Sequence, residues 1–210
     1  MVTASLVEVA VRDRSCATAL ARFRRASLDD VLAIERLVAL GARGLSREDY
    51  SDVQIEAALG SALGVDSQLI RDGTYFVAEL HDGLVACGGW SKRMTLFGGD
   101  KDPGRQPSLL DPSSDAARIR AFFVHPDYAR QGLGRAMLAL CEAEARSSGF
   151  TSTELVATLP GERLYAACGY LAQAPIEHTL PSGVRIRFVP MRKQLTLETG
   201  ASDVTGGPRT

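Results

Sequence analysis

The run from about Ala117 to Ser148 limits the fold of this chain more than any other segment. Arg118 to Val124 reads as a strand, Pro126-Asp127 as a turn, and Gly132 to Ser148 as a helix with an apolar stripe of Leu133, Met137, Leu140 and Cys141. Gly132 and Gly134 lie where the turn passes directly into the helix. Without a Cβ, their backbone amides can approach a bulky ligand, and the helix start adds unpaired N–H groups and a positive dipole end. Such a turn suits a diphosphate. Arg130 and Arg135 either add charge there or are solvated surface residues, and a turn with a purely structural role is the competing reading. A Walker-type loop requires Gly-Lys followed by Ser or Thr, but Gly134 is followed by Arg135-Ala136. A dinucleotide fingerprint requires a third glycine, where Met137 stands.

The remaining sequence supplies a mixed α/β order. Arg22 to Ala26 reads as a first strand, and Ser27 followed by Asp30 resembles a capping box opening a helix from Leu28 to about Leu40. Val31, Ile34, Leu37 and Val38 form its apolar face. A second helix lies between Tyr50 and Leu63, with Val53, Ile55, Ala58 and Leu59. Thr74 to Leu80 and Leu84 to Ser91 read as a hairpin around His81-Asp82-Gly83. Lys92 to Ala117, punctuated by Gly98, Gly99, Pro103, Gly104, Pro107 and Pro112, reads as a long functional or disordered loop. A strand at Ser152–Thr158 follows the glycine-turn helix, then a short helix at Leu164–Ala167 stopped by Gly169. Two strands, about Ala172 to Leu180 and Val184 to Met191, close the order around Pro181-Ser182-Gly183. Residues 1–20 and 196–210 read as loose tails around a single domain at 21–195.

Composition excludes several partner classes. The 210 residues are 45% hydrophobic, enough for one real core. With 24 basic against 25 acidic residues there is no field to attract nucleic acid or an anionic membrane, so a small-molecule partner is expected. Cys16, Cys87, Cys141 and Cys168 are scattered without a metal-type spacing and read as reduced thiols of a cytoplasmic protein. The start, Met1 to Arg14, has Glu8 and no basic region followed by an apolar run, unlike a secretory signal. No apolar stretch approaches the roughly 18 residues needed to span a bilayer.

Two motifs together resemble the GNAT superfamily of N-acetyltransferases. The first is Ala129-Arg130-Gln131-Gly132-Leu133-Gly134, and the second, at a family-like separation, is Leu164-Tyr165-Ala166-Ala167-Cys168-Gly169-Tyr170. Ala129 stands where the family pattern begins with Arg or Gln, so that side chain's contribution is absent. The resemblance extends more weakly over about Ala21 to Lys193. It implies a single α/β domain with a mixed, mostly antiparallel sheet flanked by helices. It also implies acetyl-CoA as co-substrate, bound without a metal. Its pantetheine would pair with backbone groups of Phe122, Phe123 and Val124 in a V-shaped cleft. Its diphosphate would lie on the turn formed by Arg130, Gln131, Gly132, Leu133, Gly134 and Arg135.

The same resemblance sets Tyr165 against the thioester sulfur as general acid, a residue that the sequence alone would read as a core-facing aromatic. A backbone amide near Val124 would stabilise the oxyanion. Glu154 is a candidate base close to a position that some family members use; otherwise it is a solvent-facing strand residue. Arg118 occupies the position other members use. Water, or an amine of lowered pKa, would require no dedicated base. Tyr50, Trp90 and Phe97 are candidate walls of the acceptor side or core residues, and His125-Pro126 ends the strand.

The expected reaction is direct transfer of an acetyl group to a primary amine of a small molecule or peptide. Homodimers are common in the resembling family. The rivals are a non-catalytic acyl-CoA sensor, an acyltransferase with another acyl donor or a hydroxyl acceptor, and a structural protein with a vestigial cleft.

Overall fold

Short apolar alternations open the sheet. In a computed structural model describing residues 7–12, 18–81, 83–102, 106 and 108–195, Glu8–Arg12 (β1) pairs antiparallel with Thr18–Arg25 (β2). Val11, Ala21 and Phe23 point into one core. Residues 8–12 and 18–20, expected within a loose tail, are therefore sheet, because Val9 and Val11 alternate with polar or small residues and have Ala21 and Phe23 to pack with. The expected C-terminal tail lies outside the described residues.

The capping box at Ser27 and Asp30 is formed: the Ser27 N–H donates to Asp30 Oδ2 at 2.7 Å. It opens a 3-10 turn, Leu28–Asp30, that runs into Val31–Leu45 (α1). Asp30 also accepts two bonds from Arg24, at 2.7 and 2.8 Å, and this pairing holds its carboxyl down at about 2. α1 passes the expected end near Leu40 because Gly41 and Gly44 let it lie against the end of a strand. A Cβ on Gly41 would stand 2.9 Å from the Val124 carbonyl, and one on Gly44 would enter the Pro126 ring.

Asp52–Leu59 (α2) is capped by Ser51 and buries Ile55 and Ala58, whereas Val53, expected on its apolar face, is exposed. Ser67–Arg71 (α3) was not expected. Only five residues long, it is too short to show a helical period, and Asp66 caps it by accepting from the Gln68 N–H at 3.0 Å.

Tyr75–Leu80 (β3) and Gly83–Ser91 (β4) form the expected hairpin. Ala117–Val124 (β5), a 3-10 turn at Pro126–Tyr128, Leu133–Ser147 (α4) and Ser152–Thr158 (β6) follow close to their expected bounds. Leu159–Ala167 (α5) starts earlier than expected. Thr158 caps it, and Pro160 sits in its first turn, where a missing N–H does no harm. The single strand expected from Ala172 to Leu180 is two, Leu171–Ala172 (β7) and Ile176–Thr179 (β8), separated by a segment containing Pro175, which has no N–H to donate. Arg185–Gln194 (β9) pairs with both.

These nine strands make one mixed, mostly antiparallel sheet in the order β1-β2-β3-β4-β5-β6-β9-β7, with β8 also on β9. Alternation along β3 assigns the faces: Phe76 and Ala78 join the core under α4, while Tyr75 and Val77 join the core under α1. A single domain with helices on both faces of the sheet results.

Candidate functional site

The one parallel pairing among the described strands is β5 with β6, and it registers only at Ala117–Thr153 and Arg118–Glu154. Beyond those residues the strands part, leaving the end of β5 without its neighbour on that side. A bulge shapes that end. Cys87 faces Phe123 and Gly89 faces Arg120, so Ala121 and Phe122 share the place opposite Gly88. Ala121 takes a φ of 55°, and the buried Tyr75 hydroxyl donates to its carbonyl at 3.1 Å. The extra residue resets the alternation. Ile119, Phe122 and Val124 thus all pack with the α4-side core, while Ala121 and Phe123 pack on the α1 side. Gly88 is required here, since a Cβ would stand 2.7 Å from the Phe122 ring.

The glycine turn has the geometry of an anion cradle. Arg130 has a φ of 62° and Gly132, the residue before α4, a φ of 88°. Above Gly132 there is open space, with nothing within 4 Å of where a Cβ would be. Arg130 and Arg135 are exposed, and Leu133 is buried in the core. Gln131 is engaged elsewhere: its Oε1 accepts from the Arg12 N–H at 2.5 Å, and its Nε2 donates to the Arg12 carbonyl at 3.3 Å. That link to β1 has no short-range signal in the sequence.

Tyr165 projects from α5 into the same region. Its ring centroid is 6.1 Å from Phe122 and 5.7 Å from Tyr170. Burial pushes its phenol well above the usual tyrosine range, so it holds its proton. The structure thus brings together Tyr165, Phe122 and the parted end of β5, with the turn beginning beyond Val124.

The sequence profile of the Acetyltransferase (GNAT) family matches residues 43–170, more than half of the chain and both motifs' positions. The chain belongs to the GNAT acetyltransferase family.

Solved structures share the fold of this GNAT chain at low identity. A GCN5-related N-acetyltransferase from Rhodopseudomonas palustris has a TM-score of 0.61 at 20% identity, covering 82% of this chain and 94% of the other. The PaiA N-acetyltransferase of Thermoplasma acidophilum, in complex with coenzyme A, has a TM-score of 0.55 at 11% identity, with 83% and 98% covered. YncA of Salmonella typhimurium, in a structure with its cofactor acetyl-CoA, has a TM-score of 0.54 at 18% identity, with 87% and 97% covered. No curated protein matches the chain.

Other residues considered from the sequence are distributed around this GNAT cleft. Glu154 stands where β5 and β6 are still paired and is ion-paired with Arg118, in a lateral row Ser91–Arg118–Glu154–Arg192 across four strands. It is not at the parted end. Trp90 is buried under α4, its indole N–H donating to Glu144 at 3.3 Å. Tyr50 is buried in the core between α2 and β9. Its hydroxyl donates to the Arg187 carbonyl at 2.5 Å and accepts from the Leu159 N–H at 2.9 Å, joining α5 to β9, and burial pushes its phenol up to about 12.

Phe97 packs there with His178 and Phe188, at 5.0 and 5.9 Å. His125 accepts from the Asp127 N–H at 3.2 Å, capping the turn that follows β5. A separate cavity of about 200 Å³ lies between α3 and β4, lined by the ion pair Asp66–Arg120 and by Arg93, whose guanidinium is itself paired with Asp72. Among the described residues no group of three metal-ligating side chains occurs, and no helix is long and apolar enough to cross a membrane.

Proposed function

We propose that this GNAT chain is an N-acetyltransferase that takes its acyl group from acetyl-CoA and passes it directly to a primary amine of a small molecule or peptide. The observation that carries this reading is the pairing of a buried, protonated Tyr165 with Phe122 where β5 has lost its neighbour. Acetyl-CoA supplies an activated thioester. The open space over Gly132 and its positive φ suit a diphosphate held by main-chain N–H groups, and the unpaired edge of β5 suits an extended pantetheine. Two of the structural neighbours carry coenzyme A or acetyl-CoA, which supports the donor. Tyr165 then gives its proton to the departing sulfur, and the Val124 region supplies a backbone amide to the oxyanion. With Glu154 held by Arg118, deprotonation of the amine falls to water or to an acceptor of lowered pKa.

The test is thiol release from acetyl-CoA across a panel of amines, with Tyr165→Phe as the variant. Loss of a general acid predicts a kcat lower by about ten- to a thousandfold. Because burial raises the phenol's pKa, the wild-type enzyme keeps its acid as pH rises. The ratio of wild-type to variant kcat is therefore expected to stay level up to about pH 10, the ordinary tyrosine value. An unchanged kcat in the variant removes Tyr165 from the role. Binding without release on every acceptor favours a sensor instead.

A further inference from the structure

The parted end of β5 has two faces, and the chemistry described above uses one of them. Tyr165 and Phe122 belong to the α4 face. On the α1 face the gap between β5 and β6 is bridged by an apolar cluster, on which Phe123 of β5, Val156 of β6 and Leu159 at the start of α5 all pack. Phe188 of β9 is buried in that cluster, whereas Phe123, Val156 and Leu159 keep part of their surface open. So does Phe97, which reaches the cluster from the excursion between β4 and β5. Its ring stands edge-on to His178 and tilted against Phe188. The main chain beyond it is fixed. Gly98 gives its carbonyl to Arg120, and Asp100 accepts from the Ser67 N–H at 3.1 Å while its own N–H donates to the Val65 carbonyl at 2.9 Å. A Cβ on Gly99 would stand 2.8 Å from that same carbonyl, so the excursion is seated closely on the approach to α3. Three acids that border this face are matched by arginines: Glu154 by Arg118, Asp66 by Arg120 and Asp49 by Arg163.

Resting on the acetyl-transfer reading above, we infer that the acceptor arrives from the α1 face, that it is a primary amine carried on an aromatic body, and that Phe97 selects it. The α4 face is taken by Tyr165 and Phe122, so the amine reaches the thioester from the other side of the sheet, past Phe123 and Val156. A flat ring there removes apolar surface from water and gains ring contacts with Phe97 and Phe123. A polyamine would bring a second ammonium against the same apolar wall, with the bordering carboxylates already engaged by guanidinium groups. The wall also assists the reaction. An ammonium drawn against apolar side chains is desolvated and its pKa falls, so it gives a proton to water without a dedicated base. The neutral nitrogen then attacks the thioester carbon and the carbon–sulfur bond breaks. The sulfur leaves with the Tyr165 proton, and the second proton lost by the nitrogen restores the phenol through water.

The experiment measures kcat/KM for phenethylamine, propylamine and spermidine with the full chain at saturating acetyl-CoA. A phenylalanyl-alanine amide is included to separate a free arylalkylamine from a peptide end of the same chemistry. At least one of the two aromatic acceptors is expected to exceed both propylamine and spermidine by about ten- to a hundredfold. Phe97→Leu, which keeps an apolar side chain, is expected to cut the ratio of the preferred aromatic acceptor to propylamine by about three- to tenfold, chiefly through a higher KM for the aromatic amine. A wild type that uses propylamine or spermidine as well as the aromatic acceptors overturns the acceptor assignment and leaves acetyl transfer to amines in place. An unchanged ratio in Phe97→Leu removes Phe97 from selection. Thiol release with none of the amines overturns both this inference and the reading on which it rests.

Discussion

Gly132 and Gly134 sit two residues apart and answer to different constraints. Gly132 holds a φ of 88° beneath open space, so what it requires is a backbone conformation. Gly134 has ordinary helical geometry, and a Cβ there would meet Leu164 Cδ2 at 3.0 Å, so what it permits is the approach of α4 to α5. Gly132→Ala should therefore lose about 1 kcal/mol, the strain of placing an L-residue in the left-handed region. Gly134→Ala should stay within about 0.5 kcal/mol of wild type, because helix propensity favours Ala and the flexible Leu164 tip can shift. Urea midpoints at unchanged m-value measure both. Equal losses at the two positions would contradict the distinction. The sequence showed both glycines at the right place but could not separate them, because the neighbour that constrains Gly134, Leu164, lies far along the chain.

Among the elements, the long excursion between β4 and β5 is held more firmly than its glycines and prolines suggest. Its arms pair raggedly, with Met94 N–H donating to the Ser108 carbonyl at 2.9 Å and Thr95 N–H to the Gln106 carbonyl at 3.1 Å. Its first arm is pinned from beneath. Arg120 of β5 pairs with Asp66 at 2.6 Å in a site where both side chains are almost wholly buried, and also donates to the Gly98 carbonyl, next to Phe97. Removing one partner leaves an uncompensated buried charge, so Asp66→Ala should destabilise the protein by about 3–5 kcal/mol. Faster protease cleavage between residues 92 and 116 should accompany it. A loss under about 1 kcal/mol, by denaturant titration, would show that the pair does not carry the loop.

What the chain order disclosed at this scale follows the range of the interactions. Strands and helices with their own period or caps, such as β3, β4, α4 and β6, were legible. The bulge at Ala121, the ion-paired state of Glu154 and the continuation of α1 through Gly41 and Gly44 were not, because each depends on a partner distant in the chain.

Across the whole molecule the proposed ligand site draws on widely separated parts of the chain: β5, the α4 start and α5. A ligand that contacts all of them can bind only the folded state, so its binding free energy adds to stability. At about one hundred times its Kd, acetyl-CoA should add about 2.7 kcal/mol. For a domain of this size that corresponds to a rise in Tm of about 5–10 °C. The shift should grow with the logarithm of ligand concentration and should persist in Tyr165→Phe, since the phenol is assigned to proton donation and not to holding the co-substrate. Differential scanning calorimetry over a concentration series measures it. Absence of any shift in wild type at millimolar acetyl-CoA would contradict the donor assignment, whereas a shift in wild type that vanishes in Tyr165→Phe would move Tyr165 from chemistry to binding.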